Sequence, residues 1–269
     1  MSTGAEISQE TVLDNIVKSI QLSIAAIQGP NQAQCIGIGS SGLVDVTEGY
    51  VKGGAPNLPD WVDLPLAQTI SSRLSIPVYV DNDANVMGWG EFKNGNFSST
   101  ETHIFLTIGT GIGGAIIHKG ELMRGNAFAG SELGCIPMNH QGESGYWEDF
   151  CSTSALLRRY NSKKAEAGVN IDGKQLISRY HQHEPLAREI MTEHFDLLGQ
   201  GIGGLINIFN PSNIILGGGI SEAGQFYIDG VRERAEHYAL SECLEGVSFT
   251  AAALGNTAGL VGAALLAFE

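Results

Sequence analysis

The stretch IGTGIGGAIIHKG, Ile108 to Gly120, constrains the fold more than any other segment of this chain. Gly109, Gly111 and Gly114 match G-x-G-x-x-G, and Glu132 stands about 20 residues on, where a dinucleotide-binding fold places its ribose-binding acid. That fingerprint requires the glycines to open a helix, because the pyrophosphate rests on the helix's N-terminal amides. Here they open AIIHKG, and the run from His103 is β-branched and apolar on both sides of the glycines, so the segment reads as two successive hairpins. A glycine turn between strands still brings bare amides close to an anion, with Thr110 adding a hydroxyl donor. It is equally what a plain hairpin turn requires.

Around this segment strands and helices are mixed, which places the chain in the α/β class. Residues 8 to 28 carry Val12, Leu13, Ile16, Val17, Ile20, Ile24 and Ile27 at helical spacing, with Ser8 as cap and Gly29-Pro30 as stop. AQCIGIGSSG and PVYVDND read as buried strands, separated by a helix within WVDLPLAQTISSRL. Helices are expected around 148 to 160, 174 to 182, 185 to 208 and 224 to 240, strands at NIILGGG and VSFTAA, and a last helix from Asn256. Gly199, Gly201, Gly203 and Gly204 interrupt the long helix at about 1 kcal/mol each, which implies close helix packing. The histidines at 181, 183, 194 and 237 lie among charged residues and read as solvated.

A formal net charge of -14 argues against a phosphate-backbone binder, and the 43% apolar content supports sizeable cores. No apolar run approaches the ~18 residues of a membrane span, and Glu6, Glu10 and Asp14 are out of place in a signal peptide, so the expected location is the cytoplasm. Cys35, Cys135, Cys151 and Cys243 are scattered and read as reduced thiols.

Three further features carry chemistry. VDNDAN sets Asp83 at a strand's carboxyl end and immediately before a helix, a place suited to presenting a carboxylate and also to a helix cap. A second glycine run, Gly217 to Gly219, follows a buried strand, where a nucleotide could lie against bare backbone; a strand-to-helix turn has the same composition. Two glycine turns, one strand-end Asp and the acids Glu132 and Glu148 together suit phosphoryl transfer to a polyol, the carboxylate taking the hydroxyl proton and amides holding the donor phosphates.

In order along the chain, GIGSSGLVD, NLPDW, VDNDAN, IGTGIGG, AGSELG, GYWE, NPSNIILGGGIS and LGNTAGLVGAA resemble the motifs of the ROK family (repressor, open reading frame, kinase) of sugar kinases. The resemblance implies a two-lobed, actin-like (ribonuclease H-like) fold, with residues 1–99 plus about 256–269 in the small lobe and 100–255 in the large one. It implies that Asp83 is the general base on the sugar hydroxyl, and that Gly42, Asn57, Asn82, Glu132, Cys135 and Glu148 line the sugar site. Thr110, Gly111, Gly113 and Gly114 would hold donor phosphates, and Gly217, Gly218 and Gly219 would line the adenosine pocket. The implied reaction is ATP- and Mg2+-dependent phosphorylation of glucose or an N-acetylhexosamine at its primary hydroxyl, by a homodimer with no nucleic-acid or membrane partner.

Two departures qualify that expectation. The family's structural zinc is held by one His and three Cys, and here Cys135, Asn139, Gln141 and Tyr146 occupy those positions, so no zinc is expected and Tyr146 and Trp147 are expected to fill the volume. The family's opening D-x-G-G-T phosphate motif has no counterpart upstream of Ser8, which makes a kinase truncated at its amino terminus, with an incomplete N-terminal lobe, the expectation. The alternative is a catalytically silent sugar-binding or regulatory homologue. Residues 1 to 30 offer one clear helix and few basic residues, which argues against DNA binding.

Overall fold

The computed structural model describes residues 8–27, 33–55, 58, 60–164, 170–219 and 223–268. The chain divides into two compact units, residues 1–94 with 124–130 and 257–269, and residues 95–123 with 131–256.

The first unit begins with α1 (Gln9–Ala25), started by Ser8, whose hydroxyl accepts a hydrogen bond from the Thr11 amide at 3.3 Å. Val12 and Leu13 of α1 are buried in a small core with Val44, Val51, Leu66, Ile70 and Val80. Those residues come from β2 (Leu43–Asp45), β3 (Tyr50–Gly53), α2 (Leu66–Leu74) and β4 (Val78–Asn82). β4 pairs in parallel with β1 (Ile36–Ser40), and β2 with β3 forms an antiparallel hairpin that hydrophobic alternation alone does not announce. β4 runs directly into α3 (Asp83–Asn94). The last helix, α9 (Ala258–Leu265), packs on α3 and β1 through small residues; a Cβ at Gly262 would overlap the Val86 carbonyl.

The second unit is organised by a five-stranded sheet in the order β11-β10-β5-β6-β7. β5 (Thr102–Ile108), β6 (Ile112–His118) and β7 (Glu121–Leu122) are the two successive antiparallel hairpins, and β5 also pairs in parallel with β10 (Asn213–Gly217). β11 (Ser248–Ala251) extends the parallel half. The first five residues of β5, Thr102 to Leu106, are all buried, without alternation, as expected of a strand covered on both faces. The covering helices include α7 (Pro185–Phe209) and α8 (Gln225–Tyr238), with α6 (Gly173–His181) beside α7. A further hairpin, β8 (Pro137–His140) with β9 (Glu143–Tyr146), leads into α4 (Trp147–Cys151) and α5 (Thr153–Lys164). These two short helices replace the single helix expected over 148 to 160, because Ser152 is extended (ψ 159°) and the Thr153 amide turns to the Gly109 carbonyl at 2.9 Å. No helix among the described residues is long and apolar enough to cross a membrane.

Close packing accounts for three of the four α7 glycines. A Cβ at Gly199 or Gly203 would lie 2.5 or 2.6 Å from the Cβ of Arg234 or Tyr238 on α8, and one at Gly201 would strike the Trp147 ring. Gly204 faces open space. His181, His183 and His237 are exposed, but His194 is not the solvated residue its neighbours suggest. It lies on the α7 face turned toward α8, fully buried, with Nε2 2.8 Å from the Tyr227 hydroxyl, and burial lowers its pKa from 6.5 to about 3.

Between about pH 6.5 and pH 3 the unfolded chain therefore carries a proton on His194 that the folded chain does not, so stability rises with pH across that window. As pH falls from 6.5 toward 4, the wild type should lose about 1.4 kcal/mol more per pH unit than His194→Gln in urea denaturation. Parallel pH profiles for the two proteins would contradict a ring held neutral by burial.

Candidate functional site

In the first unit, the junction of β4 and α3 presents Asp83 as the first helical residue. Its side chain reaches solvent, its Oδ1 accepts from the Ala84 amide at 2.9 Å, and it forms no ion pair among the described residues. Surrounding protein raises its carboxyl above the ordinary range, and the local amides offset this only in part. A carboxylate so tuned is suited to taking a proton. Asn82 is occupied locally: Oδ1 accepts from the Ala84 and Asn85 amides at 2.9 and 3.2 Å, capping α3, and Nδ2 donates to the Gly42 carbonyl at 3.0 Å. Gly42 has φ +94°, and a Cβ there would meet the Gly53 carbonyl, so this turn beside Asn82 requires glycine. Ser40 closes the group, accepting from Trp61 Nε1 at 2.9 Å and donating to the Ser41 carbonyl at 3.0 Å. Asn57 lies outside the described residues.

In the second unit, the two glycine runs meet at one edge of the sheet. β5 and β10 are parallel neighbours with Gly217 in register with Thr107, so both chains leave the sheet at their carboxyl ends side by side. This is where open α/β sheets bind ligands. Because Ile108 pairs with Ile112, the turn itself is Gly109-Thr110-Gly111, and Gly113 and Gly114 are ladder residues of β6 opposite Thr107 and Leu106. Thr110 is exposed at the tip. Gly218 has φ +90°, and a Cβ there would collide with the Ile108 carbonyl, whereas Gly219 faces open space.

Glu148, in the first turn of α4, is tied to the first glycine turn. Its Oε2 accepts the Ile112 amide at 3.0 Å, and a Cβ at Gly111 would strike the same oxygen. Glu132 is exposed and precedes the short 3-10 helix Leu133–Cys135. Cys135 is exposed too; burial of its thiol and then the nearby charges of Glu148, Glu132 and Asp149 raise its pKa, which makes it a poor nucleophile.

The positions of the family's zinc ligands do not fit a zinc ion. Asn139 Nδ2 donates to Ser144 Oγ at 3.1 Å, Gln141 Nε2 donates to Glu193 Oε1 at 3.0 Å, and neither is a usual zinc ligand. Among the described residues no three His, Cys, Asp or Glu side chains converge as a metal site. Only one of the two expected space-fillers does that work: Trp147 is fully buried and donates to the Leu197 carbonyl at 3.0 Å, whereas Tyr146 is 53% exposed because it ends the hairpin on its solvent side. The carboxylate of Glu193 on α7 holds the hairpin instead. His140 lies 2.6 Å away and Arg159 3.0 Å away, and although burial opposes ionisation, these two partners hold Glu193 below the usual carboxylate range. This anchor was missed in sequence because its members are scattered from 140 to 193.

The two neighbouring glycines separate conformational need from mere smallness. Gly218→Ala should lower stability by about 1–3 kcal/mol, since its φ and its contact both exclude a side chain, while Gly219→Ala should stay within about 0.5 kcal/mol. Equal urea midpoints for the two variants would contradict the assigned turn.

The chain is 34% identical to a glucokinase of Streptomyces coelicolor, over 96% of this chain and 88% of that protein. It is 31% identical to a glucokinase of Thermotoga maritima, over 98% of this chain and 90% of that protein. Its structure superimposes with a TM-score of 0.79 on a ROK family glucokinase from Streptomyces griseus solved in complex with glucose and AMPPNP, at 33% identity over 94% of this chain and 87% of that one. The ROK family profile matches residues 2–269, and the chain belongs to the ROK family, with the actin-like fold of its sugar kinases.

Proposed function

We propose that this protein phosphorylates a hexose, glucose or an N-acetylhexosamine, at its primary hydroxyl, with ATP as donor entering as its Mg2+ complex. The observation that carries the reading is Asp83: a carboxylate with no cationic partner among the described residues, displayed at a strand end with its pKa raised. In this mechanism the hydroxyl oxygen bonds to the γ-phosphorus as the bond from that phosphorus to the β–γ bridging oxygen breaks and ADP leaves, and Asp83 accepts the hydroxyl proton. Amides of the Gly109–Gly111 turn and the Thr110 hydroxyl stabilise charge on the transferring phosphoryl group, and bare backbone at Gly217 to Gly219 receives the adenosine.

Glu132 and Glu148 accept from the remaining hydroxyls, Asn57 and the Gly42 turn complete the set, and Asn82, whose Oδ1 is committed to α3, contributes the second hydrogen of its Nδ2. For Glu148 one oxygen is already committed to the Ile112 amide, which leaves Oε1 for the sugar. An acid shared in this way links occupancy of the sugar site to the conformation of the phosphate turn. Cys135, where the family pattern has His, offers a weaker hydrogen-bond donor to the sugar.

Phosphorylation of glucose, N-acetylglucosamine, N-acetylmannosamine, mannose and fructose by MgATP should show turnover for at least one sugar. In Asp83→Asn that turnover should fall by about 10²-fold or more. Turnover that survives largely intact in the variant removes Asp83 as the base, and failure of every sugar with ATP rejects the hexokinase reading.

A further inference from the structure

We propose that Arg124 is a positioning residue for the Asp83 carboxylate, acting through the buried Asp81 rather than by contact with the substrate; the proposal rests on Asp83 being the general base. Asp81 is 1% exposed, an unusual depth for a carboxylate, and it stands two residues before Asp83 at the end of β4. Every direction of its hydrogen bonding is used. Oδ2 accepts from Arg124 Nε at 2.9 Å and Nη2 at 2.7 Å, and Oδ1 accepts from the Asn82 amide at 2.7 Å and from Asn85 Nδ2 at 3.0 Å. The carboxylate therefore joins three things: the strand end, the first turn of the helix that Asp83 begins, and the Arg124 guanidinium.

Arg124 reaches this position from an excursion of the chain. Residues 124–130 belong to the first unit although the segments on either side, ending at Met123 and resuming at Ser131, belong to the second. The excursion closes on itself where the Gly130 amide donates to the Arg124 carbonyl at 2.9 Å. Lys52 secures its tip, donating to the Ala127 carbonyl at 3.2 Å and lying 5.4 Å from the centre of the Phe128 ring. Arg124 is thus held from its backbone side, and its fork is presented to Asp81 rather than recruited by it.

The physical consequence concerns the placement of the base. A buried carboxylate deprived of its guanidinium is strongly unfavourable and turns toward water. Turning breaks the bond from Asn85, the tie between β4 and the start of α3, and lets the first helical turn shift. Displacement of a reacting group by about 1 Å is sufficient to cost on the order of 10²-fold in rate. Lysine does not replace arginine here, since a single ammonium does not present two fixed donors to one oxygen.

The test compares wild type, Arg124→Met, Arg124→Lys and Asp83→Asn, using glucose and MgATP for steady-state kinetics, glucose alone for calorimetry, and thermal unfolding for integrity. The expected result is a kcat about 10- to 100-fold lower in Arg124→Met with KM for glucose changed less than about threefold, a glucose stoichiometry unchanged from wild type, and partial recovery of kcat in Arg124→Lys. If Arg124→Met does not fold, Arg124→Lys carries the test, with a kcat at least about threefold below wild type at full glucose stoichiometry. The proposal is overturned if folded Arg124→Met keeps kcat within twofold of wild type, or if its loss of kcat is matched by an equal loss of glucose-binding sites. Asp83→Asn separates the two levels: retained activity there rejects the base itself, whereas an inactive Asp83→Asn beside a fully active Arg124→Met rejects only the positioning role.

Discussion

The parallel pairing of β5 with β10 is the constraint on which the candidate site of the second unit depends. It puts Thr107 beside Gly217 and so brings two glycine turns, more than a hundred residues apart in sequence, to one edge of one sheet. Backbone that must stay bare can then gather in a single place. The turn at Gly218 is possible because that residue tolerates a positive φ and a contact with the Ile108 carbonyl. The turn at Gly109–Gly111 is braced from below, by the Thr153 amide on the Gly109 carbonyl and by Glu148 on the Ile112 amide. Neither loop is a free hairpin.

Much of this was legible in the chain. Alternation and β-branching located β1, β4, β5 and β6, helical spacing located α1, α7 and α8, and Ser8 caps α1 as its position suggests. Eight motifs in order identified the family. Other features were not legible, for identifiable reasons. The break at Ser152 is imposed by a long-range hydrogen bond from its neighbour to Gly109, and no local propensity records it. His194 follows Glu193 and precedes Asp196 by two residues, so its surroundings in sequence are charged, yet α7 turns it into the core while Glu193 faces the hairpin. The partners of Asp81 were not legible either, since Arg124 lies 43 positions away and only the fold brings it to the strand end.

The hairpin that takes the place of the zinc region illustrates how one kind of cross-link substitutes for another. A metal ion draws four ligands together by coordination, and each must be deprotonated or neutral. Here Glu193 draws His140, Gln141 and Arg159 together by hydrogen bonding and charge, on a scaffold already shaped by the buried Trp147. Cys135 ends the 3-10 turn two residues before β8, its amide donating to the Glu132 carbonyl at 3.1 Å.

We propose that the edge formed by the carboxyl ends of β5 and β10 receives the nucleotide. Amide hydrogen exchange of the full chain with and without Mg2+-AMPPNP measures this directly, because bound phosphates and adenosine engage backbone amides and slow their exchange. The account predicts slower exchange at both residues 109–112 and 217–219 on adding the nucleotide. Nucleotide binding that leaves both turns unchanged, with protection elsewhere in the chain, would contradict it.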